Sequence, residues 1–185
     1  MISIFTTIAG RFGIADKEAE RFFKFSVVGV IGFIVDFGTF NLLLNPLSAL
    51  LSMGSYFHLL LLDLGLNVDQ IMTLVPTLAG TASFVAAICS NFLWNRYWTY
   101  PDSRTKSFRR QFAQFVLVSV TGVIMRVPIM AYTYRPFGTL FANLVPSLVH
   151  LAERIGKNLA LMLAVVVVMF WNFFVNRYWT YGDVS

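Results

Sequence analysis

The sequence predicts an all-α integral membrane protein whose four transmembrane helices form two parallel-repeat helical hairpins. Of its 185 residues, 57% are hydrophobic and only 12% are charged, whereas a soluble domain is about half apolar and a quarter charged. Four apolar stretches are long enough to cross a membrane, and the hexapeptide NRYWTY closes two of them, at residues 95–100 and 176–181. These observations exclude a soluble globular domain.

The four predicted spans are residues 22–44, 71–97, 112–134 and 158–179. Each exceeds the ~20 residues that a helix needs, at about 1.5 Å per residue, to cross a hydrocarbon core of about 30 Å. Residues 1–20 carry charges of both signs and lack the apolar stretch of a signal peptide. They are therefore expected to form a cytoplasmic interfacial segment ahead of a membrane domain at residues 21–181.

The duplicated hexapeptide belongs to a longer internal repeat. Phe25, Gly32 and Asp36 recur with the same spacing as Phe115, Gly122 and Arg126. Residues 21–100 and 111–181 are therefore two repeats of one unit. Because each repeat crosses the membrane twice, both start on the same side and are predicted to be related by a pseudo-two-fold axis along the membrane normal.

Basic residues indicate the orientation. Most of the 14 lysines and arginines lie at the termini or in the link at residues 101–110. The positive-inside rule places both termini in the cytoplasm, with the protein in the cell (inner) membrane. These basic residues are expected to contact anionic membrane lipids, so the charge calls for no nucleic-acid partner. The outer connections at residues 45–70 and 135–157 are predicted to be interfacial or re-entrant segments.

Asp36 and Arg126 are ionisable residues at equivalent depths within their spans. A charge at the centre of a membrane helix costs about 2.5–3.5 kcal/mol, so both are expected to face the protein interior. An ion pair between them is the natural arrangement. Two interpretations stay open: a structural pair that fixes helix register, or a site where Arg126 binds an anionic group and Asp36 is its resting counter-ion.

Two pairs of asparagines lie near the hexapeptides. Asn91 and Asn95, like Asn172 and Asn176, are four residues apart, so both amides of a pair share one helix face. They are expected either to hydrogen bond between helices or to line a polar cleft that accepts hydroxyl-rich cargo.

Arg96 and Arg177 follow these asparagines at the ends of spans two and four. They are expected to be snorkelling anchors or ligands for a lipid phosphate. The aromatic residues of the hexapeptides predict an interfacial belt: Tyr97, Trp98, Tyr100, Tyr178, Trp179 and Tyr181. Small residues predict faces for close helix packing: Gly29, Gly32, Gly38, Ser119 and Gly122.

Enzyme signatures are absent from the sequence. His58 and His150 fall in outer connections without a nearby cysteine or paired carboxylates, and Cys89 is the single cysteine. There is no G-x-x-x-x-G-K-[ST] phosphate loop. We expect no enzyme activity, no cofactor and no metal, and transport driven downhill or by ion coupling.

The motifs FxxFxxVGVIGFIVD at residues 22–36 and NxxxNRYWTY at residues 91–100 and 172–181 resemble those of the GtrA-like family of small membrane proteins. The resemblance covers residues 21–181. It implies a role with polyprenyl-phosphate-linked sugars, typically flipping an undecaprenyl-phosphate monosaccharide for cell-surface glycan modification. It also implies that related domains are fused to, or work beside, polyprenyl-phosphate glycosyltransferases.

The leading hypothesis is a flippase that moves a polyprenyl-phosphate-linked sugar to the outer leaflet for cell-surface polysaccharide synthesis. The predicted substrate-binding residues are Asp36, Asn91, Asn95, Arg96, Arg126, Asn172, Asn176 and Arg177. Four helices are few to enclose a sugar, so a side-open groove or a homodimer is expected.

Two alternatives remain. In one, the protein is a non-transporting anchor or regulatory subunit, and basic residues 103–110 dock a glycosyltransferase partner. In the other, it is a small-solute exporter with Asp36 as a proton-coupled site, although Arg126 at the same depth opposes proton cycling.

Overall fold

The computed structural model describes Thr7, Gly10 and residues 15–182 of the chain, and this part is helical without strands. The α-helices are α1 (Asp16–Leu50), α2 (Tyr56–Asp63), α3 (Val68–Trp94), α4 (Phe108–Leu144) and α5 (Ala152–Val175). The shorter turns are π-helical at Asn95–Thr99 and Asn176–Thr180, and 3-10 helical at Pro101–Thr105 and Pro146–Leu151. The predicted all-α class is confirmed.

Four helical segments within the described residues are long and apolar enough to cross a membrane: Asp16–Leu50, Val68–Thr99, Phe108–Leu144 and Pro146–Thr180. The four predicted spans are therefore confirmed, although every segment is longer than its predicted span. The chain divides into two compact units, unit 1 ending at Thr99 and unit 2 beginning at Tyr100. The parallel arrangement of the two repeats stays a prediction.

In unit 1, α1 and α3 pack side by side in opposite directions. Lys24 on α1 lies 6.0 Å from the Trp98 ring at one end. Leu51 packs with Ile71 and Val75 at the other. The first span starts earlier than predicted because Glu18–Arg21 and Glu20–Lys24 ion pairs continue the helix through Asp16. Most of the predicted interfacial segment at 1–20 lies outside the described residues.

The connection at residues 45–70 is mostly helical. Residues 45–50 continue α1, and α2 then begins where the Ser55 side chain accepts a hydrogen bond from the His58 backbone N–H at 3.2 Å. The His58 side chain is buried, with Nδ1 3.1 Å from the Leu51 carbonyl oxygen. A capping box between Asn67 and Gln70 starts α3. This connection contains no additional span-length helix.

In unit 2, α4 and α5 approach so closely that their backbones touch. A Cβ added to Gly156 would lie 2.7 Å from the Gly138 backbone nitrogen, and one added to Gly138 would lie 3.0 Å from the Ala152 carbonyl oxygen. Only glycine, which has no Cβ, permits this contact. Residues 135–144 therefore continue α4 as a packed helix, and the prediction that all of 135–157 is interfacial or re-entrant is wrong for this part.

The link after the first hexapeptide is an ordered turn of unit 2. The Ser103 hydroxyl donates to the Tyr100 carbonyl oxygen at 2.8 Å, and the Gln111 amide donates to the Ser103 carbonyl oxygen at 3.1 Å. The Lys106 ammonium donates to the carbonyl oxygen of Gly182. The link is thus hydrogen-bonded to Gln111 near the start of α4 and to Gly182 after the second hexapeptide.

Candidate functional site

The Asn91 side chain lies directly against α1 at Gly32. A Cβ added to Gly32 would lie 2.6 Å from Asn91 Cγ, so the amide occupies the space that glycine leaves open. The buried Asn91 Oδ1 has no hydrogen-bond partner among the described residues. This amide is therefore packed between the helices with its acceptor oxygen unsatisfied.

Unit 2 repeats the contact at the equivalent positions. A Cβ added to Gly122 would lie 3.0 Å from Asn172 Nδ2 and 3.0 Å from Val168 Cγ1. The buried Asn172 Oδ1 also has no hydrogen-bond partner in the described part of the chain. Val118 lies one turn before Gly122 on α4, and its carbonyl oxygen accepts a hydrogen bond from the Trp171 indole at 3.2 Å. The prediction of packing faces holds for Gly32 and Gly122, whereas Gly29 and Gly38 have open space beside them.

Both hexapeptides leave the α-helix through a π-helical turn, a feature that recurs at functional sites. In the second copy, the Tyr181 backbone N–H donates to the Asn176 carbonyl oxygen at 2.8 Å. The Asn176 side chain donates to the Asn172 carbonyl oxygen and accepts from the Thr180 hydroxyl, both at 2.8 Å. Asn176 is fully buried, so its side chain holds the turn together.

The first copy has the same backbone but different side-chain bonding. Asn95 and Thr99 are buried, yet Asn95 Oδ1 and Thr99 Oγ1 have no hydrogen-bond partner among the residues described. A buried polar atom left unpaired costs about 1–3 kcal/mol. The buried polar side chains of the second π-turn are therefore better satisfied by hydrogen bonds than those of the first.

The two equivalent arginines differ in access. Arg96 is 5% exposed. Arg177 is only half-buried, and its guanidinium carbon lies 5.6 Å from the centre of the exposed Tyr178 ring. Of the two, Arg177 is the more accessible to a ligand. The sequence, which is identical in both copies, gives no signal for this difference.

Only some of the aromatic residues predicted to form an interfacial belt are exposed. Tyr97, Tyr178 and Trp179 are exposed, as a membrane interface requires. Tyr100 and Tyr181 are fully buried and stack on each other, so for these two the prediction is wrong. They are core residues of unit 2.

Asp36 lies half-buried on α1 in a groove of about 370 Å³ within unit 1. The other lining residues are Phe33, Phe37 and Phe40 from α1 and Gly80, Ser83 and Phe84 from α3. This groove was not predicted, although three phenylalanines spaced three or four residues apart around Asp36 place their rings on one helix face.

Arg126 is exposed on α4 of unit 2. Its predicted ion pair with Asp36 would join the two units and stays a prediction. No three His, Cys, Asp or Glu side chains of the described residues group closely enough to hold a metal ion.

Residues 24–181 match the sequence model of the GtrA/DPMS transmembrane domain, a range that contains every predicted site residue. The chain belongs to the GtrA/DPMS transmembrane-domain family. The resemblance inferred from the hexapeptides and the Asp36 motif is thereby confirmed. GtrA/DPMS domains are generally linked to sugar-lipid carrier function, and GtrA-like proteins are generally non-catalytic.

A similar protein occurs in Bacillus subtilis (strain 168). Its membrane protein YngA, described as uncharacterized, is 25% identical to this chain over 176 residues. The similarity covers 94% of this chain and 88% of YngA. The four apolar helices together with the GtrA/DPMS domain make this chain a multi-pass membrane protein.

Proposed function

We propose that the protein is a flippase that moves a polyprenyl-phosphate-linked monosaccharide from the cytoplasmic to the outer leaflet. Its family is generally linked to sugar-lipid carriers. The observation that carries the proposal is the half-buried Arg177, which lies at the end of a span in a π-turn held by hydrogen bonds of the Asn176 and Thr180 side chains.

Arg177 has the properties of a ligand for the phosphate of the carrier lipid. A guanidinium group binds phosphate oxygens in a bidentate manner that lysine cannot reproduce. The exposed Tyr178 and Trp179 rings beside it suit the headgroup region. Because Asn176 fixes the preceding backbone, Arg177 projects from a defined position and does not have to be ordered by the ligand.

Asn91 and Asn172 place an unsatisfied hydrogen-bond acceptor inside each unit, which a hydroxyl-rich head that passes along the helices could satisfy. Each amide oxygen is buried beside a glycine of the facing helix and lacks a partner among the described residues. A sugar hydroxyl that donates to such an oxygen would satisfy an acceptor that otherwise costs about 1–3 kcal/mol to bury. Each oxygen is enclosed between two helices, so a sugar hydroxyl would reach it only after those helices move apart.

Flipping is tested with purified protein in liposomes that contain a polyprenyl-phosphate monosaccharide. Wild-type protein should accelerate transfer of the sugar between leaflets. Arg177→Ala should reduce the rate about tenfold or more, because a charge-assisted hydrogen bond contributes about 1.5–3 kcal/mol. The matched control is Arg154→Ala, an exposed arginine on α5, which should leave the rate unchanged. A wild-type rate equal to that of empty liposomes would reject the proposal.

A second function is favoured by the exposed basic residues Arg104, Arg109 and Arg110, which surround the exposed Phe108 at the start of α4. In this function the protein anchors or regulates a polyprenyl-phosphate glycosyltransferase. Alanine at the three arginines would then abolish co-purification with the transferase, and changes at Asp36 and Arg126 would leave sugar-lipid production unaffected. Flipping by the purified protein alone would reject this alternative.

A further inference from the structure

The groove around Asp36 combines one carboxylate with four aromatic rings inside unit 1. Its volume of about 370 Å³ falls at the lower end of the range for small-molecule sites. Gly80 leaves one wall open, since an added Cβ there would meet only Phe40 Cε2 at 4.0 Å. The groove therefore has room for a group the size of a monosaccharide.

The Asp36 carboxylate is the only acidic group among the residues that line this groove. It makes no hydrogen bond or ion pair with another described residue of unit 1. The neighbouring Ser83 hydroxyl donates instead to the Gly80 carbonyl oxygen at 3.1 Å. With an acyl chain in the groove, the carboxylate would have no partner within unit 1, which is unfavourable in a membrane. A ligand with hydrogen-bond donors or a positive charge would satisfy it.

The rings favour the same ligand. Phe33 and Phe37 stack with centroids 6.1 Å apart and are 67% and 62% exposed, so their faces are accessible. Aromatic faces carry partial negative charge and attract ammonium groups and the polarised C–H bonds of a sugar ring. They repel an anion, as Asp36 does. Ring faces and carboxylate therefore select the same charge.

We infer that this groove is the subsite for the sugar ring and that Asp36 sets its charge selectivity. Sugars with an ammonium group bind best, neutral sugars bind less tightly, and sugars with a carboxylate are rejected. The inference rests on the proposed function and goes beyond it, because it assigns the sugar to unit 1 and names the charge class that is carried.

The test measures binding of three polyprenyl-phosphate lipids with one shared tail, carrying glucosamine, glucose or glucuronic acid. Binding to the purified full-length protein in detergent is followed by the ligand-induced rise in Tm and by titration. Wild-type protein should bind the glucosamine lipid at least tenfold more tightly than the glucuronic acid lipid. Asp36→Asn should bring the two affinities within about twofold. Asp69→Asn, the same change at an exposed carboxylate of α3, should keep the wild-type ratio.

A second pair of variants tests the place of the sugar without removing a charge. Gly80→Leu should fill the groove and weaken the sugar lipids at least tenfold, while polyprenyl phosphate without a sugar binds as before. Gly29→Leu, the same change at an α1 glycine that faces open space and does not line the groove, should bind all of them normally. Equal affinity for the three sugars in wild-type protein overturns this inference and leaves the flippase proposal intact. Failure of every lipid to bind overturns both.

Discussion

Tyr100 and Tyr181, the last residues of the two hexapeptides, stack with ring centroids 4.5 Å apart and planes inclined by 15°. Both are completely buried. The stack lies beside the turn in which Ser103 and Gln111 bond to each other and Lys106 bonds to Gly182. The link and residues 181–182 are thus joined by one packed cluster in unit 2.

Tyr181→Ala should therefore destabilise unit 2 strongly. Truncating a buried aromatic residue typically costs about 3–5 kcal/mol. We expect a large fall in Tm and in the free energy of unfolding, measured in detergent with increasing denaturant. Tyr178→Ala in the same hexapeptide removes a ring that is 69% exposed, so its effect should stay within about 0.5 kcal/mol. Similar losses for the two variants would contradict a packing role for the stack.

The equivalent threonines of the two π-turns should respond differently to valine, which keeps the shape and removes the hydroxyl. Thr180→Val deprives the buried Asn176 Oδ1 of its donor and should cost about 1–3 kcal/mol. Thr99→Val removes a hydroxyl that has no hydrogen-bond partner among the described residues, so its stability should be unchanged or slightly increased. Chemical unfolding of both variants in the same detergent gives the comparison, and equal losses would be evidence against this asymmetry.

Gly32→Ala should loosen the packing of α1 on α3. The new Cβ would overlap the Asn91 side chain, and overpacking of this kind costs about 1–3 kcal/mol. Gly29→Ala, three residues earlier on the same helix, meets nothing within 4 Å and should be neutral or slightly stabilising. Thermal unfolding of the two variants tests the difference. A neutral Gly32→Ala would mean that Asn91 moves aside without loss.

Gly156→Ala should separate α4 from α5 at the end away from the hexapeptide. Its Cβ would collide with backbone atoms of Tyr134 and Gly138, which cannot rotate away as a side chain can. We expect Gly156→Ala to lose more stability than Gly32→Ala and to be cleaved faster by proteases near residues 138–152. If the protein tolerated alanine here as well as at Gly29, the close backbone contact would be refuted.

The sequence was sufficient to predict the helical class, the four spans and the family, because these depend on long apolar stretches and on a repeated motif. The roles of Gly32 and Gly122 in packing followed from their place in the repeat. Gly29 and Gly38 looked equivalent to them, and only the helix rotation in the structure shows that they face open space.

Other features depend on contacts that a linear pattern does not contain. Gly138 and Gly156 are far apart in sequence, so their backbone contact, and with it the full length of α4, could not be foreseen. The identical hexapeptides gave no indication that Arg96 is buried while Arg177 is half-exposed. The groove around Asp36 required the pairing of α1 with α3.

The two π-turns also change the phase of the helix. A π-turn closes over five residues where an α-turn closes over four, so Tyr181, whose N–H closes the second turn on the Asn176 carbonyl oxygen, is displaced by about 100° from its position on an uninterrupted helical wheel. This displacement separates the inward-facing Tyr181 from the outward-facing Tyr178. Deleting one residue between Asn176 and Tyr181 would close this turn as an α-turn and direct Tyr181 away from the stack. The length of the motif therefore sets the direction of its last tyrosine and is as constrained as its residues.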